Sequence, residues 1–201
     1  MADDTFLAHG PRVAIRRITV RDHAEIDALA RASAALHAPW VPRWEHTPES
    51  FAAYVERFDH PTHKGFVICR HETGAVVGGV NINNIVRGTI QSGSLGYAAY
   101  APTTGRGYMT EGLRLVMAYA FDDLGLHRLE ANIQPANVAS IRLVERLGFE
   151  REGYSPRFQY LDGAWRGHER WAVTAEMALG DPATASEAAP RVPDGTGGPR
   201  C

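Results

Sequence analysis

The sequence predicts one α/β domain built on a mixed sheet, and three observations carry that prediction. The chain has 201 residues, 44% of them hydrophobic, enough for one good-sized core. Its apolar pattern switches between a period of two and a period of 3.6, giving the element order β-α-α-β-β-β-α-β-α-β-β. Three strand-like runs follow one another before a glycine turn, which excludes a doubly wound sheet, where strands and helices alternate.

Each element follows from its own residues. Arg12 to Val20 alternates through Val13 and Ile15, then Ile18 and Val20, and reads as a first strand. Asp22 is a suitable helix cap, and Ile26, Leu29, Ala30 and Ser33 follow at helical spacing to about Leu36. Ala38 to Trp44 is a Pro-broken loop with two tryptophans, Trp40 and Trp44. Thr47 caps a second helix with Pro48 in its first position, and Phe51, Tyr54, Val55 and Phe58 form its apolar stripe. From Gly65 the period becomes two, and Phe66 to Arg70 and Ala75 to Ile82 form a hairpin around Glu72-Thr73-Gly74.

Ser94 to Tyr100 is a further strand. Leu113, Val116, Met117, Ala120, Phe121 and Leu124 mark a third helix, closed by Gly125. His127 to Gln134 alternates as a fifth strand. Asn137 caps a short fourth helix bearing Ile141, Val144 and Leu147, and Gly148 ends it. Two closing strands, Glu150 to Leu161 and His168 to Met177, are linked through Asp162-Gly163. The folded domain is thus expected over 12–179. Residues 1–11 carry little pattern and read as a flexible N-terminus, and the Gly/Pro-rich stretch 180–201 reads as a disordered tail.

Composition limits the function classes. The formal net charge is −2 and no block of Lys or Arg is present, so direct nucleic-acid binding is not expected. No apolar run is long enough for a membrane span, and Met1-Ala2-Asp3-Asp4 lacks the layout of a signal peptide. Two cysteines, Cys69 and Cys201, make no disulfide framework, and a cytoplasmic location is expected. The nine histidines have no ligand spacing, so no metal is expected.

The stretch Thr104-Gly105-Arg106-Gly107-Tyr108-Met109-Thr110-Glu111 stands where a strand hands over to a helix. The first N–H groups of a helix have no internal partner and lie at the positive end of its dipole, so a pyrophosphate would settle there. An ordinary strand-to-helix turn also favours glycine, and the octapeptide alone does not separate the two.

Leu95 to Glu111 resembles the acyl-CoA-binding segment of the GCN5-related N-acetyltransferases (GNAT), written Gln/Arg-x-x-Gly-x-Gly/Ala. Gly107 matches its required glycine, while Thr104 and Met109 depart at its first and last positions. Residues 124–131, Asn137-Val138-Ala139-Ser140 and 146–153 are similar to the RimJ/RimL branch of that superfamily. So are the closing segment 162–168 and the setting of Trp40. The resemblance covers about residues 12–178. It implies the GNAT fold, a mixed sheet of six to seven strands with about four helices, and acetyl transfer from acetyl-CoA to an amine.

The resemblance also implies roles. The backbone of Gly105, Arg106, Gly107, Tyr108, Met109 and Thr110, with Thr104, would cradle the pyrophosphate. Tyr97, Ala98 and Ala99 would pair with the pantetheine arm, on a strand edge that the fifth strand leaves open. Asn137 would contact that arm as well as cap its helix, and Ser140 would be the acid at the leaving thiolate. Trp40, Tyr160 and Trp165, with Trp44, would line the acceptor groove.

No base stands out. Relatives often carry Glu where Ser94 stands, Glu130 and Asn132 are fallback candidates, and Glu111 is a favourable dipole partner. The expected acceptor is a protein N-terminal amine of the ribosomal-protein alanine or serine type. Acetylation of a small amine or antibiotic, and a non-catalytic acyl-CoA-binding module, are the alternatives. The protein is expected to be a monomer or homodimer.

Overall fold

The computed structural model describes residues 6–38, 40, 41 and 47–179. Its strands are β1 (Ala8–His9), β2 (Val13–Arg17), β3 (Lys64–Arg70), β4 (Val76–Val86), β5 (Ser92–Ala99), β6 (Arg128–Ile133), β7 (Glu150–Leu161) and β8 (Ala164–Thr174). Its helices are α1 (His23–Ala32), α2 (Ala34–His37), α3 (Pro48–Glu56), α4 (Tyr108–Asp122), α5 (Val138–Arg146) and α6 (Ala175–Leu179). The strands form one sheet in the order β1-β2-β3-β4-β5-β6-β8-β7. Each neighbouring pair is antiparallel except β5 with β6.

Two cores cover the two faces of this sheet. On one face α4 and α5 lay Leu113, Val116, Ala120 and Val144 against Ile15, Phe66, Ile68, Val80 and Leu129. On the other face Ile26 of α1 and Phe51 of α3 pack on Val67, Cys69 and Val76. This explains why β3 is apolar at every position from Phe66 to Cys69: a central strand covered on both faces does not alternate in polarity. Gly112 lets α4 approach the sheet closely, because a Cβ there would overlap Ile68.

The predicted α/β class and mixed sheet hold, with eight strands in place of six to seven and six helices in place of about four. Ala8 and His9 lie within the segment expected to be flexible, yet they pair with Ile15 and Ala14. A two-residue strand has too little sequence to show a period. The first helix was expected to run unbroken from a cap at Asp22. Asp22 does hold the N-cap position of α1, but its carboxylate makes no capping bond and turns back to Thr19 N (2.8 Å) and to the Arg16 guanidinium (2.6 and 2.9 Å). The helix then breaks at Ser33, whose hydroxyl donates to Leu29 O (2.6 Å) and accepts from Ala101 N (2.8 Å). Thr47, Gly125, Asn137 and Gly148 end their helices as expected, both glycines with positive φ. Trp44 and the expected tail 180–201 lie outside the described residues.

Glu111 does more than favour a helix dipole. Its carboxylate accepts from Arg12 N (2.6 Å), Val13 N (3.0 Å) and Arg12 Nε (2.9 Å), tying the start of β2 to the first turn of α4. Burial alone would raise its pKa, but these donors outweigh burial and hold the carboxyl below its ordinary value. Glu111→Ala is expected to cost about 2–4 kcal/mol in urea unfolding, because two backbone N–H groups lose their acceptor. The charge-dependent part of this stabilisation is complete above the ordinary Glu pKa near ~4.3. It is lost as pH falls through the lowered folded value, so the gap between wild type and variant should narrow in acid.

Candidate active site

β5 and β6 pair over three residues only, Ser92–Ser94 against Arg128–Glu130. Their closed end is clamped where His127 N and Arg128 N both donate to Gln91 O, at 2.7 and 3.2 Å. Beyond Ser94 the strands part, β5 following β4 to Ala99 while β6 follows β8. Alternate residues of an antiparallel strand direct their N–H and C=O away from their partner. Tyr100 N donates to Val77 O, so on β5 the outward residues are Leu95, Tyr97 and Ala99. Ala99 O accepts from His37 Nε2 at 2.8 Å on that outward edge. The gap is a cleft of about 900 Å³.

The predicted glycine turn lies past the C-terminal end of β5, beyond the residues that line the cleft. Gly105 and Gly107 adopt φ of +74° and +80°, which a side chain disfavours. Gly107 is the N-cap of α4 and has no side chain to satisfy the N–H groups of the first turn. Glu111 is the first residue of α4 whose N–H finds a main-chain acceptor, Gly107 O at 3.2 Å. The donors before it are left to a ligand or to water. A Cβ on Gly105 would meet nothing within 4 Å, so the turn is open on that side. Met109 turns the other way, its sulfur occupying the space above Gly78.

Asn137 and Ser140 lie together at the N-terminus of α5. The Asn137 side chain accepts from Ser140 N at 3.2 Å, the N-cap bond expected from sequence. The Ser140 hydroxyl lies 2.7 Å from the hydroxyl of Tyr97, a contact the sequence does not reveal. Burial pushes the Tyr97 phenol up to about 12, offset in part by the bond to Ser140. The pair is therefore uncharged at neutral pH and can pass a hydrogen bond from one hydroxyl to the other.

The opposite wall is polar. Asn81 accepts from Tyr54 of α3 (2.8 Å) and Asn83 from Arg57 (3.3 Å), and both line the cleft with Trp40, Glu130 and Asn132. Glu130 is held by Arg128 at 2.8 Å, and the same guanidinium pairs with Glu152. Tyr160 and Trp165 do not line the cleft. They sit opposite each other at the tip of the β7–β8 hairpin, ring centroids 5.7 Å apart, each about 60% exposed.

Phe158 and His168 line the cleft instead. Three residues of β7, Pro156 to Phe158, oppose the single residue Gly167 of β8 between the pairs Ser155–His168 and Gln159–Arg166, with Arg157 at φ +50°. That bulge brings the Phe158 ring to 5.4 Å from the His168 ring. Pro156 inside a strand run was the available signal, since proline cannot donate to a ladder. Among the described residues no group of three or more His, Cys, Asp or Glu could hold a metal ion, and no helix is long and apolar enough to cross a membrane.

Comparison with known proteins agrees with this architecture. A probable N-acetyltransferase of Bacillus subtilis, YjcK, is 36% identical over 120 residues, 60% of this chain and 66% of that protein. The ribosomal protein uS5-alanine N-acetyltransferase of Escherichia coli is 38% identical over 99 residues, 49% of this chain and 51% of its own length. The chain thus spans about half to two thirds of the curated relatives it matches. The solved structure of Mycobacterium smegmatis RimJ in complex with CoA-disulfide superposes with a TM-score of 0.78 at 29% identity, over 88% of this chain and 93% of that one. The family model described as an acetyltransferase (GNAT) domain matches residues 12–150, and the chain belongs to the GNAT acetyltransferase family.

Proposed function

We propose that the chain is an acetyl-CoA-dependent N-acetyltransferase whose acceptor is the α-amino group of a protein N-terminus. The observation that carries the proposal is the parting of β5 from β6, which opens a row of main-chain donors and acceptors inside the sheet. The glycine turn continues that row with unpaired N–H groups, and the Tyr97–Ser140 hydroxyl pair faces the same cleft. Family membership and the likeness to a CoA-bound RimJ support the same reading. A phosphate-bearing thioester is the ligand chemistry that these features suit.

Acetyl-CoA, when bound, supplies the activated acetyl group. Gly105 to Thr110 would hold its pyrophosphate through N–H groups and the positive end of α4. Tyr97 and Ala99 would hold its arm as one more strand. Asn137 would steady the same arm while capping α5. Ser140, oriented by Tyr97, would donate a hydrogen bond to the departing sulfur, polarising it more than delivering a full proton.

The charge of the cleft bears on the acceptor. Among the described residues its one lining carboxylate, Glu130, pairs with Arg128, while Arg57 brings a positive charge to the cleft. The charge of these described residues disfavours a polycationic amine. Asn81, Asn83 and Asn132 offer neutral donors and acceptors of the kind a peptide backbone needs. An α-amine with pKa near ~8 is roughly one-tenth neutral at pH 7, whereas a lysine amine near ~10.4 is almost wholly charged.

Peptides beginning with Ala or Ser, compared with a panel of free amines by mass spectrometry, should carry the acetyl group preferentially. Transfer to free amines alone would reverse the acceptor assignment, and no CoA release with either set would favour a non-catalytic module. Gly107→Val should raise the apparent KM for acetyl-CoA tenfold or more on the order-of-magnitude scale of a lost anion site; an unchanged KM would sink the phosphate assignment. Ser140→Ala should lower kcat by about 10–100-fold with less effect on cofactor binding, and Tyr97→Phe should lower it less, since Ser140 keeps its hydroxyl. Equal losses in kcat and cofactor affinity would mark Ser140 as structural.

A further inference from the structure

We infer that His168 is the proton acceptor for the attacking amine, a role that rests on the acetyl-transfer reading above. Among the described residues the cleft is lined by one carboxylate, Glu130, which pairs with Arg128, itself also paired with Glu152. His168 lines the same cleft from β8, is 3% exposed, and is walled on one side by the Phe158 ring. Its Nδ1 lies 3.1 Å from Arg166 O. A carbonyl oxygen can only accept, so Nδ1 carries the proton and Nε2 carries the lone pair. Nε2 has no hydrogen-bond partner among the described residues, and none of their buried side-chain polar atoms is sealed without one. Nε2 therefore keeps accessible surface, on a residue that lines the cleft.

Burial lowers the His168 pKa, and the bond to Arg166 O offsets this only in part, so the ring is neutral at pH 7. The groups that face it across the cleft fit that state. Arg57 lines the α3 side, burial holds the His63 imidazole below its ordinary value, Glu130 pairs with Arg128, which also pairs with Glu152, and burial pushes the Tyr97 phenol up to about 12. On its own hairpin the Tyr154 hydroxyl lies over Gly167. A fixed tautomer with an open lone pair in a dry wall is what a base needs to receive a proton without reorganising.

The step balances. The neutral amine nitrogen forms a bond to the thioester carbonyl carbon, and its N–H acidity rises as it gains positive charge. That proton passes to His168 Nε2. The tetrahedral adduct collapses as the carbon–sulfur bond breaks, and the thiolate takes a hydrogen bond from the Ser140 hydroxyl and then a proton from solvent. The imidazolium returns its proton to solvent after the amide leaves.

His168→Asn tests this, because the Asn amide can still donate to Arg166 O while the Nε2 position is lost. With an Ala- or Ser-initiated peptide, kcat should fall about 100-fold, while the acetyl-CoA dissociation constant stays within about twofold. The acid limb of the wild-type kcat profile, below the ordinary histidine value near ~6.5, should vanish in the variant. His168→Gln, which returns a polar atom near Nε2 without a titrating ring, should lose the limb as well. On the wild-type chain, the His168 Nε2 signal in ¹⁵N spectra should move when peptide is added. Retention of kcat within threefold with the limb intact, or an Nε2 signal that ignores peptide, overturns the role of His168 and leaves acetyl transfer standing. A wild-type chain that acetylates no peptide overturns the acetyl-transfer reading, and the assignment of His168 with it.

Discussion

The structure depends on two parallel strands that agree for three residues and then part. In the interior of a sheet every N–H and C=O must be paired, and a row left open costs free energy unless water or a ligand takes it. Here the open row on β5 is not at a sheet edge but between strands that are paired on their other sides. The cost of separation is kept local by the clamp at Gln91 O and by His37, which takes Ala99 O at the far end. Between those two points the backbone is a strand without a neighbour.

The parallel sense of this pair organises everything else. A parallel crossover must carry the chain back across a face of the sheet, and α4 does so between β5 and β6. Both strands therefore end on the same side, and the helices that follow them, α4 and α5, begin there. Two positive helix ends and two sets of unpaired N–H groups are thus brought to the mouth of one gap. Asn137 satisfies one of these ends with its own side chain, whereas Gly107 has no side chain to offer the other. Under the proposed acetyl transfer, the capped helix serves the chemistry and the uncapped one the anchoring of the cofactor.

Much of this was legible because the signals are local. Thr47, Asn137, Gly125 and Gly148 announce helix ends through bonds spanning three or four residues, and the α4 stripe names its buried face. The glycine turn is likewise a property of eight consecutive residues. What was not legible depends on residues far apart in sequence. Ser33 breaks its helix because Ala101, 68 positions away, needs an acceptor. Tyr97 reads as one more strand residue until Ser140, 43 positions away, is set beside it. Tyr160 and Trp165 attract attention as exposed aromatics, but the bulge at Pro156 to Phe158 turns Phe158 and His168 toward the cleft instead. Spacing alone could not foresee that, because the bulge sets three residues of β7 against one of β8 and locally re-aims the side chains around it.

The two departures from the family pattern in the glycine turn have a physical resolution in this fold. Thr104 is too short to shape a loop from afar, but its hydroxyl donates to Ala101 O at 3.0 Å and closes the turn locally. Thr103 beside it donates to Val77 O at 3.1 Å and fixes the turn to β4. The work of a longer basic side chain falls to Arg12, which arrives from β2. Its guanidinium donates to Arg106 O at 3.0 Å, lies 5.2 Å from the Tyr108 ring centroid, and stands 3.2 Å from where a Gly107 Cβ would be. Positive charge is thereby delivered to the open N–H groups from 94 residues away. Glu111 holds Arg12 in that position, and Met109, in place of a small residue, finds its room above Gly78. The turn is thus shaped by β2 and β4 as much as by its own eight residues, which is why its own pattern is imperfect while its geometry is suited to an anion.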